Sequence, residues 1–405
     1  MNGKFFKGYC VVIALILFLP LLGTCVNFGA RLVDSDFQLK EPELSGVVNV
    51  PEKPEISLTN LASGTFQDEL EDYLEYHLFA RRILTRTYNQ LLYSVFHSTD
   101  NREMLVGQDD YVFEKAYATA YLTELTDEEI RALEYSIGRV DKLHDLLKER
   151  GITLVVRMSP SKAELYPEYL PSAYDRFVEM KQGGAYAANW YQAFIDIISK
   201  TDIPVYDRHD MLVQMKNAGE IVFAKGGTHW TLAPMAEYIN GLNALLEELL
   251  ETKLGRMVVT QKENILGQMG NVDDSDIWQI CWNALNAEPN YLSPHIQYTS
   301  TAGEAPLHVF MVGQSFSTLL LSTIYSVEKP VWTETYFSWY NSRVLEYKAG
   351  YTGGGIQFSE STDDFERYLQ ADVIIVEFLE NGSGWIQFEF VENMLHYLEE
   401  NEETA

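Results

Sequence analysis

The sequence predicts an α/β domain built on a mostly parallel central sheet, and three observations point to it. A sharply bounded helix runs through Gly151 into the strand "ITLVVRM", residues 152–158. This strand and "DVIIVEFL", residues 372–379, are near-continuous β-branched runs instead of alternating ones, as in strands covered on both faces. Helix and strand patterns then alternate as far as residue 379, the order of a parallel sheet with helical crossovers.

From the N-terminus, Lys4 and Lys7 precede "YCVVIALILFLPLLGTCVNF", residues 9–28. This run has roughly the 20 apolar residues that a bilayer-spanning helix needs, and the two lysines would stay on the cytoplasmic side. Pro20 is tolerated in such a helix. Residues 1–30 are read as a cytoplasmic stub and transmembrane signal-anchor in a single-pass protein of the cell membrane, its domain extracytoplasmic. The alternatives are a cleaved signal peptide, with the protein secreted, and a lipoprotein signal ending at Cys25. "LGTC" is a poor lipidation site and no small-x-small cleavage site follows it, so the anchor is preferred.

Residues 31–63 carry Pro51 and Pro54 without helical periodicity and read as an extended linker. Residues 64–120 form a helical and hairpin lead-in. Apolar residues recur at three and four spacing from Thr65 to His97, as one helix or a broken pair. "EMLVGQDDYVFE", residues 103–114, is a hairpin with a Gly-containing turn. The α/β domain follows over residues 121–395. A capping box, Thr126 to Glu129, opens its first helix, and Gly151 closes it. Further helices are expected at 185–199, 232–251, 316–325 and 363–370, with strands at 203–207, 307–313 and 372–379. Residues 252–305 read as an irregular insertion or lid, and 396–405 as an acidic tail.

Apolar residues make up 46% of the 405 and aromatics 13%, which excludes a disordered chain. The net charge of −29 excludes a nucleic-acid partner, since phosphate-binding surfaces need clustered Lys and Arg; beyond that the sign says nothing of the substrate. Of Cys10, Cys25 and Cys281 only the last lies beyond the apolar run, so no disulfide and no cysteine metal site is expected there. The histidines make no H-E-x-x-H or other metal spacing, and neither a metal nor a cofactor is expected.

The strand at 307–313 runs into Gly313, Gln314, Ser315, Phe316 and Ser317 and then into an apolar helix. Ligands of open parallel sheets bind at the carboxyl ends of the strands, and a serine there meets the backbone N–H groups of a helix start. The competing reading is a plain helix cap. His229 stands in "KGGTHWT", residues 225–231, a loop before a helix for which Thr231 is an N-cap candidate; beside Trp230, a structural role competes with a catalytic one. Together, Ser315 and His229 make a nucleophile and its base, the minimum for acyl transfer.

With these residues in hand the chain resembles the SGNH-hydrolase-like domain of the alginate O-acetyltransferase family. That family's histidine lies in a D-T-H-W-T motif and its nucleophile in a later G-D-S-F motif. Four blocks carry the resemblance over roughly residues 65–380: "FARR" with "VGQDDYVFE", "LKERGITLVVRMSPSKAELYPEYLP", "KGGTHWT" and "VGQSFS". Two positions depart from the pattern. Gly227 stands where the family's triad aspartate is expected, and Gln314 replaces the aspartate before the nucleophile. The resemblance implies a three-layer α/β/α fold and O-acetyl transfer onto an extracellular or cell-wall polysaccharide through an acetyl-serine. Ser315 would be the nucleophile and His229 the base, and a membrane-bound O-acyltransferase would supply the acetyl group. With Gly227 lacking a carboxylate, Asp207, Asp210 or Asp274 is a candidate to orient His229. Lys162, Trp230, Tyr340, Asn341 and Arg343 are candidate substrate contacts, with a structural ion pair the alternative for Lys162 and bracing of the histidine loop the preferred alternative for Trp230. The rival readings are an acetylesterase of the same fold and a catalytically degenerate member that binds glycan or scaffolds an acetylation complex.

Overall fold

The computed structural model describes residues 3–33, 37, 39–41, 50–184, 187–266, 292–301, 303–350, 355–359, 361, 362 and 364–402. These fall into two units, one reaching Asn101 and one beginning at Arg102.

The first unit is helical. Helix α1, Gly3–Leu32, contains the expected apolar run and extends it at both ends. Among the described residues it is the one helix long and apolar enough to cross a membrane, over Lys7–Ala30. The linker expected at 31–63 is not extended throughout: α2, Leu58–Ser63, is a short helix capped by the Ser57 side chain. The amphipathic stretch is a broken pair, α3, Thr65–His77, and α4, Arg81–Phe96. The break falls at Ala80, whose φ of +66° no helix continues.

The second unit opens with the expected hairpin, β1, Met104–Val106, and β2, Val112–Glu114, and continues through α5, Lys115–Leu122. Helix α6, Asp127–Glu149, starts at the predicted capping box, with Thr126 and Glu129 bonded reciprocally. Its apolar stripe, Leu133, Ile137, Val140, Leu143 and Leu147, is buried. There follow β3, Thr153–Ser159, α7, Lys162–Leu165, α8, Asp175–Gln182, α9, Trp190–Ile198, β4, Val205–Tyr206, α10, His209–Asn217, and α11, Met235–Leu250. Strands β5, Met257–Leu266, and β6, Leu292–Ser300, come next. The nucleophile region is β7, His308–Gly313, with α12, Ser315–Tyr325. Then come β8, Glu334–Trp339, β9, Arg343–Lys348, β10, Ile356–Ser359, α13, Phe365–Tyr368, β11, Val373–Leu379, and α14, Trp385–Glu402.

The central sheet has seven strands in the order β10-β9-β8-β7-β11-β3-β4. From β8 to β4 every pairing is parallel; β9 and β10 continue the sheet antiparallel. Alternate residues of the central strands face opposite layers. Val155, Met311 and Ile375 pack with α11 and α12, whereas Val156, Val312 and Val376 pack with α6, α9 and α14. This is the SGNH-like three-layer α/β/α arrangement, with β11 buried at every residue at its centre.

Two boundaries read from the sequence move. The stretch 252–305 is not irregular throughout, because β5 and β6 pair antiparallel from Met257↔Ser300 to Leu266↔Leu292. Its polar, Pro-containing composition hid a ribbon that lies outside the main sheet. The acidic tail expected at 396–405 begins inside α14, whose buried Met394, Leu395 and Leu398 hold the helix onto the sheet past residue 396. Replacing Thr126 with Ala removes the α6 cap and is expected to lower stability by about 1 kcal/mol in denaturant unfolding. Being remote from the β7–α12 turn, it should leave that turn unchanged.

Candidate active site

Strand β7 ends at Gly313, Gln314 is extended, and Ser315 begins α12, so the serine stands at the carboxyl edge of the sheet on the first turn of a helix. A Cβ on Gly313 would lie 2.3 Å from Glu377 Oε2, so only glycine lets that carboxylate come so close to the turn. Glu377 of β11 stands beside Arg157 of β3 in the parallel register, and both side chains are fully buried as an ion pair. The same carboxylate accepts from Ser159 Oγ at 2.5 Å and from the backbone N–H of Gln314 at 2.6 Å, while Arg157 donates to Ser317 Oγ at 2.7 Å. Burial alone would lower the Arg157 pKa, but the charge of Glu377 and the Tyr238 and Glu377 hydrogen bonds together outweigh it and the pKa is raised. The turn carrying Ser315 is thereby tied to two central strands by charge-assisted hydrogen bonds.

The histidine loop is tied down on both sides of His229. Phe223 and Trp230 form an antiparallel bridge, and the Thr231 N–H donates to the Val222 carbonyl at 2.8 Å. Trp230 is wholly buried and its indole N–H donates to the Phe316 carbonyl at 3.2 Å. Thr228 Oγ1 donates to Glu114 Oε1 at 2.8 Å, and burial raises the pKa of that carboxylate. Lys162, 2% exposed, donates through Nζ to the carbonyls of Val112, Ala224, Lys225 and Gly227 at 2.8, 2.8, 2.7 and 3.0 Å. His229, held between these anchors, sets Nε2 2.8 Å from Ser315 Oγ, with its ring against Phe316 at a centroid separation of 5.0 Å. Burial pulls the imidazole pKa down to about 4, and the charge of Glu377 only partly opposes it.

A third group reaches the serine. Tyr340 and Asn341, in the turn between β8 and β9, have φ of +51° and +47°. That region is costly for a bulky side chain, and non-glycine residues held there mark functional turns more often than chance. The Tyr340 N–H donates to the Gly313 carbonyl at 3.0 Å, and its hydroxyl donates to Ser315 Oγ at 3.1 Å. Asn341 donates to Glu389 Oε2 at 3.3 Å, and the Arg343 guanidinium lies 4.2 Å from the Trp339 ring centroid.

Of the residues singled out in the sequence, Ser315, His229 and Tyr340 are brought together. Asn341 and Arg343 flank them on the same turn. Lys162 needs correction as a substrate contact, being buried and clamping the histidine loop, while Trp230, also buried, stands in its preferred role of bracing that loop, here against α12. Thr231 does not cap a helix at 232. It accepts from Ala233 N–H, and α11 begins three residues later than expected. Asp207 accepts from the Tyr191 hydroxyl at 2.7 Å and from the His209 N–H at 3.0 Å, at the start of α10, whose first turn also holds Asp210. Asp274 lies outside the described residues. Among the described residues there is no group of three metal-ligating side chains. Arg157, Glu377 and Glu114 escaped the reading, although a single charge inside each of the strands "TLVVRMS" and "VIIVEFL" was a signal for a buried pair.

The family described as "SGNH hydrolase-like domain, acetyltransferase AlgX" matches residues 104–321, more than half of the chain. A protein called "Probable alginate O-acetylase AlgJ" from Pseudomonas fluorescens is 27% identical over 169 residues, which is 42% of this chain and 39% of that relative. A counterpart of the same name from Pseudomonas aeruginosa is 27% identical over 179 residues, 43% of this chain and 40% of its own length. The matched stretch thus spans about two fifths of these curated relatives. Among solved structures, the O-acetyltransferase domain of Pseudomonas putida AlgJ is 16% identical with a TM-score of 0.41, covering 73% of this chain and 99% of that one.

Replacing Lys162 with Met removes a donor from four carbonyls, of which Lys225 keeps the Val112 N–H at 2.8 Å and Ala224 the Gly227 N–H at 3.3 Å. A stranded buried polar group costs about 1–3 kcal/mol, so with the Val112 and Gly227 carbonyls losing this donor stability is expected to fall by at least about 2 kcal/mol in denaturant titration. Amide exchange at Thr228 to Thr231 should accelerate beyond that global loss, and unchanged exchange in this loop would contradict the clamp.

Proposed function

The chain belongs to the family of the SGNH hydrolase-like domain of the acetyltransferase AlgX, and on that premise we propose that it transfers O-acetyl groups onto an extracytoplasmic polysaccharide. The observation that carries the reading is the 2.8 Å contact between His229 Nε2 and Ser315 Oγ at the carboxyl edge of the sheet. With its ring proton on Nδ1, His229 accepts the serine proton as Ser315 Oγ attacks the acetyl carbonyl of the donor. The tetrahedral oxyanion forms beside the N-terminal end of α12 and the Tyr340 hydroxyl, which supply donors and a favourable dipole. Collapse expels the donor's leaving group, protonated by His229, and leaves acetyl-Ser315. A sugar hydroxyl then gives its proton to His229 and attacks the ester, and Ser315 leaves with that proton.

In this reading α1 anchors the domain outside the membrane, and a membrane-bound O-acyltransferase supplies the acetyl group. Hydrolysis is the same second half-reaction with water in place of the sugar, so the two differ only in the acceptor. Orienting His229 does not ask for a side chain at Gly227, because the anchored loop backbone holds the histidine. Gln314, in the place of the second expected aspartate, serves as a tie: its side chain donates to the Ser383 carbonyl at 2.5 Å.

A serine-directed phosphonate should modify Ser315 in the full-length protein in detergent, located by peptide mass spectrometry. His229→Ala should slow that labelling by about 10²- to 10⁴-fold, the range of a lost general base. A folded protein left unlabelled at Ser315 would replace this reading with glycan binding without catalysis.

The pH profile follows from the depressed imidazole pKa. The base is active when neutral, so lowering its pKa from 6.5 to about 4 extends the active range toward acid. The acid limb of kcat/KM for acetyl transfer is expected near pH 4, and a limb near 6.5 would mean that the imidazole is solvated.

A further inference from the structure

We propose that Trp385 is the platform on which the acetyl acceptor stacks, and that the acceptor is an uncharged pyranose chain. The inference deepens the acetyltransferase reading and rests on it. Of the five tryptophans described, 190, 230, 332, 339 and 385, Trp385 alone has most of its indole in water, at 68% exposed. A single exposed aromatic is ordinary on a protein surface; its place in the fold is what carries the argument. Gln314, next to the nucleophile, donates its side-chain amide to the Ser383 carbonyl, and Trp385 follows Ser383 by two residues, within ~8 Å at 3.8 Å per Cα step.

The helix that Trp385 begins confirms the direction. Glu389 lies one turn on, at i+4 and so on the same face of α14, and it accepts from Asn341, the neighbour of the Tyr340 whose hydroxyl reaches Ser315 Oγ. Two neighbours of Trp385, Ser383 and Glu389, are thus each tied to the surroundings of the serine, one through Gln314 and the other through the β8–β9 turn. The loop before it is stiff. Ser383 bonds twice to Asn381 Oδ1, and a Cβ on Gly382, whose φ is +80°, would meet the Trp190 ring at 2.9 Å. A fixed loop presents an indole at little ordering cost, the condition under which an aromatic face adds affinity.

The same loop lines a cleft of about 520 Å³ between α5 and Trp190, bordered by Lys115, Thr119, Thr123, Asn381 and Gly382. That volume is in the range of pockets that take small ligands, and the hydroxyl and amide groups set there beside the Trp190 indole suit a further sugar unit of a chain whose neighbouring ring rests on Trp385. Charge selects which sugar. Near the loop and turn Lys115 and Arg343 are offset by Glu103 and Glu389, so no cluster of basic side chains stands there among the described residues. A polyuronate needs clustered Lys and Arg, so an uncharged chain fits this surface better.

The test is calorimetric titration of the full-length Ser315→Ala protein in detergent, in which the acceptor is bound without turnover, with chitopentaose and with an oligomannuronate of equal length. The neutral oligosaccharide is expected to bind and the uronate to bind at least tenfold more weakly. Trp385→Ala should weaken chitopentaose about tenfold, while Trp385→Phe recovers most of the loss. Equal affinity of Trp385→Ala and its parent, tighter binding of the uronate, or no binding of chitopentaose would each overturn the proposal. Acetylation of Ser315 by p-nitrophenyl acetate in the unmutated protein is measured alongside. It needs no acceptor, so its absence would count against the acetyltransferase reading and its presence with failed glycan binding against the platform alone.

Discussion

One buried ammonium sets the geometry on which the site depends. Lys162 sits at 2% exposure, where a charge is tolerated only when its donors are fully used. Its partners are four carbonyls, three of them in the loop leading to His229 and the fourth at Val112 on β2. That side chain joins the lead-in hairpin to the histidine loop, together with the Val112 N–H, which donates to the Lys225 carbonyl at 2.8 Å, and the Thr228 hydroxyl on Glu114. The rings of Tyr111 and Phe113 lie 5.4 and 5.3 Å from the ammonium and close the space around it. A guanidinium would not serve, since its planar fork is shaped for carboxylates and not for carbonyls converging on a point.

Beneath the serine the device differs: two opposite charges cancel in the dry interior. Arg157 and Glu377 cost little net field at a distance, yet their remaining hydrogen bonds fix Ser159, Ser317 and the Gln314 N–H. Replacing such a pair by apolar residues of similar volume is often neutral for stability, so its value here lies in direction. It makes the sheet and the α12 turn one rigid piece. A neighbouring cluster does the same for the loop before Trp385. Glu380 accepts from the Ser161 N–H and from His209, each at 2.8 Å, and the His209 pKa rises to about 9 because Glu380 outweighs the effect of burial.

The order of helices and strands was legible in the sequence because continuous apolar strands and capped amphipathic helices are local signals. Ser315 and His229 were legible as candidates because strand-to-helix turns and pre-helix loops are where a parallel sheet exposes side chains. Their 2.8 Å contact was not, since it joins residues 86 apart through the packing of α12 against the histidine loop. Substrate contact and a structural role competed for Lys162 and Trp230 for the same reason: motif membership marks a residue as constrained without telling whether the constraint is contact with substrate or burial. The β5–β6 ribbon stayed hidden because "MVVTQKENIL" keeps no apolar alternation, "LSPHIQYTS" carries a proline, and the two pair across a long intervening stretch. Trp385 carried no sequence signal, because one exposed aromatic gains meaning only from its neighbours in space.

The triad aspartate of related chemistry does two jobs, orienting the histidine and stabilising the imidazolium that forms. This fold meets the first by other means, through Lys162, Thr228, Trp230 and the bridge at Phe223, all acting on the backbone around His229. The second is met only weakly, because the carboxylate felt by the ring is Glu377, already engaged by Arg157, and the pKa stays near 4. A base of that strength takes a serine proton with little driving force. On the proposed reading the enzyme therefore depends on a donor whose leaving group departs readily and on strong oxyanion donors. In that reading activated acetyl groups handed over at the membrane would meet the first condition, and Tyr340 with the start of α12 the second.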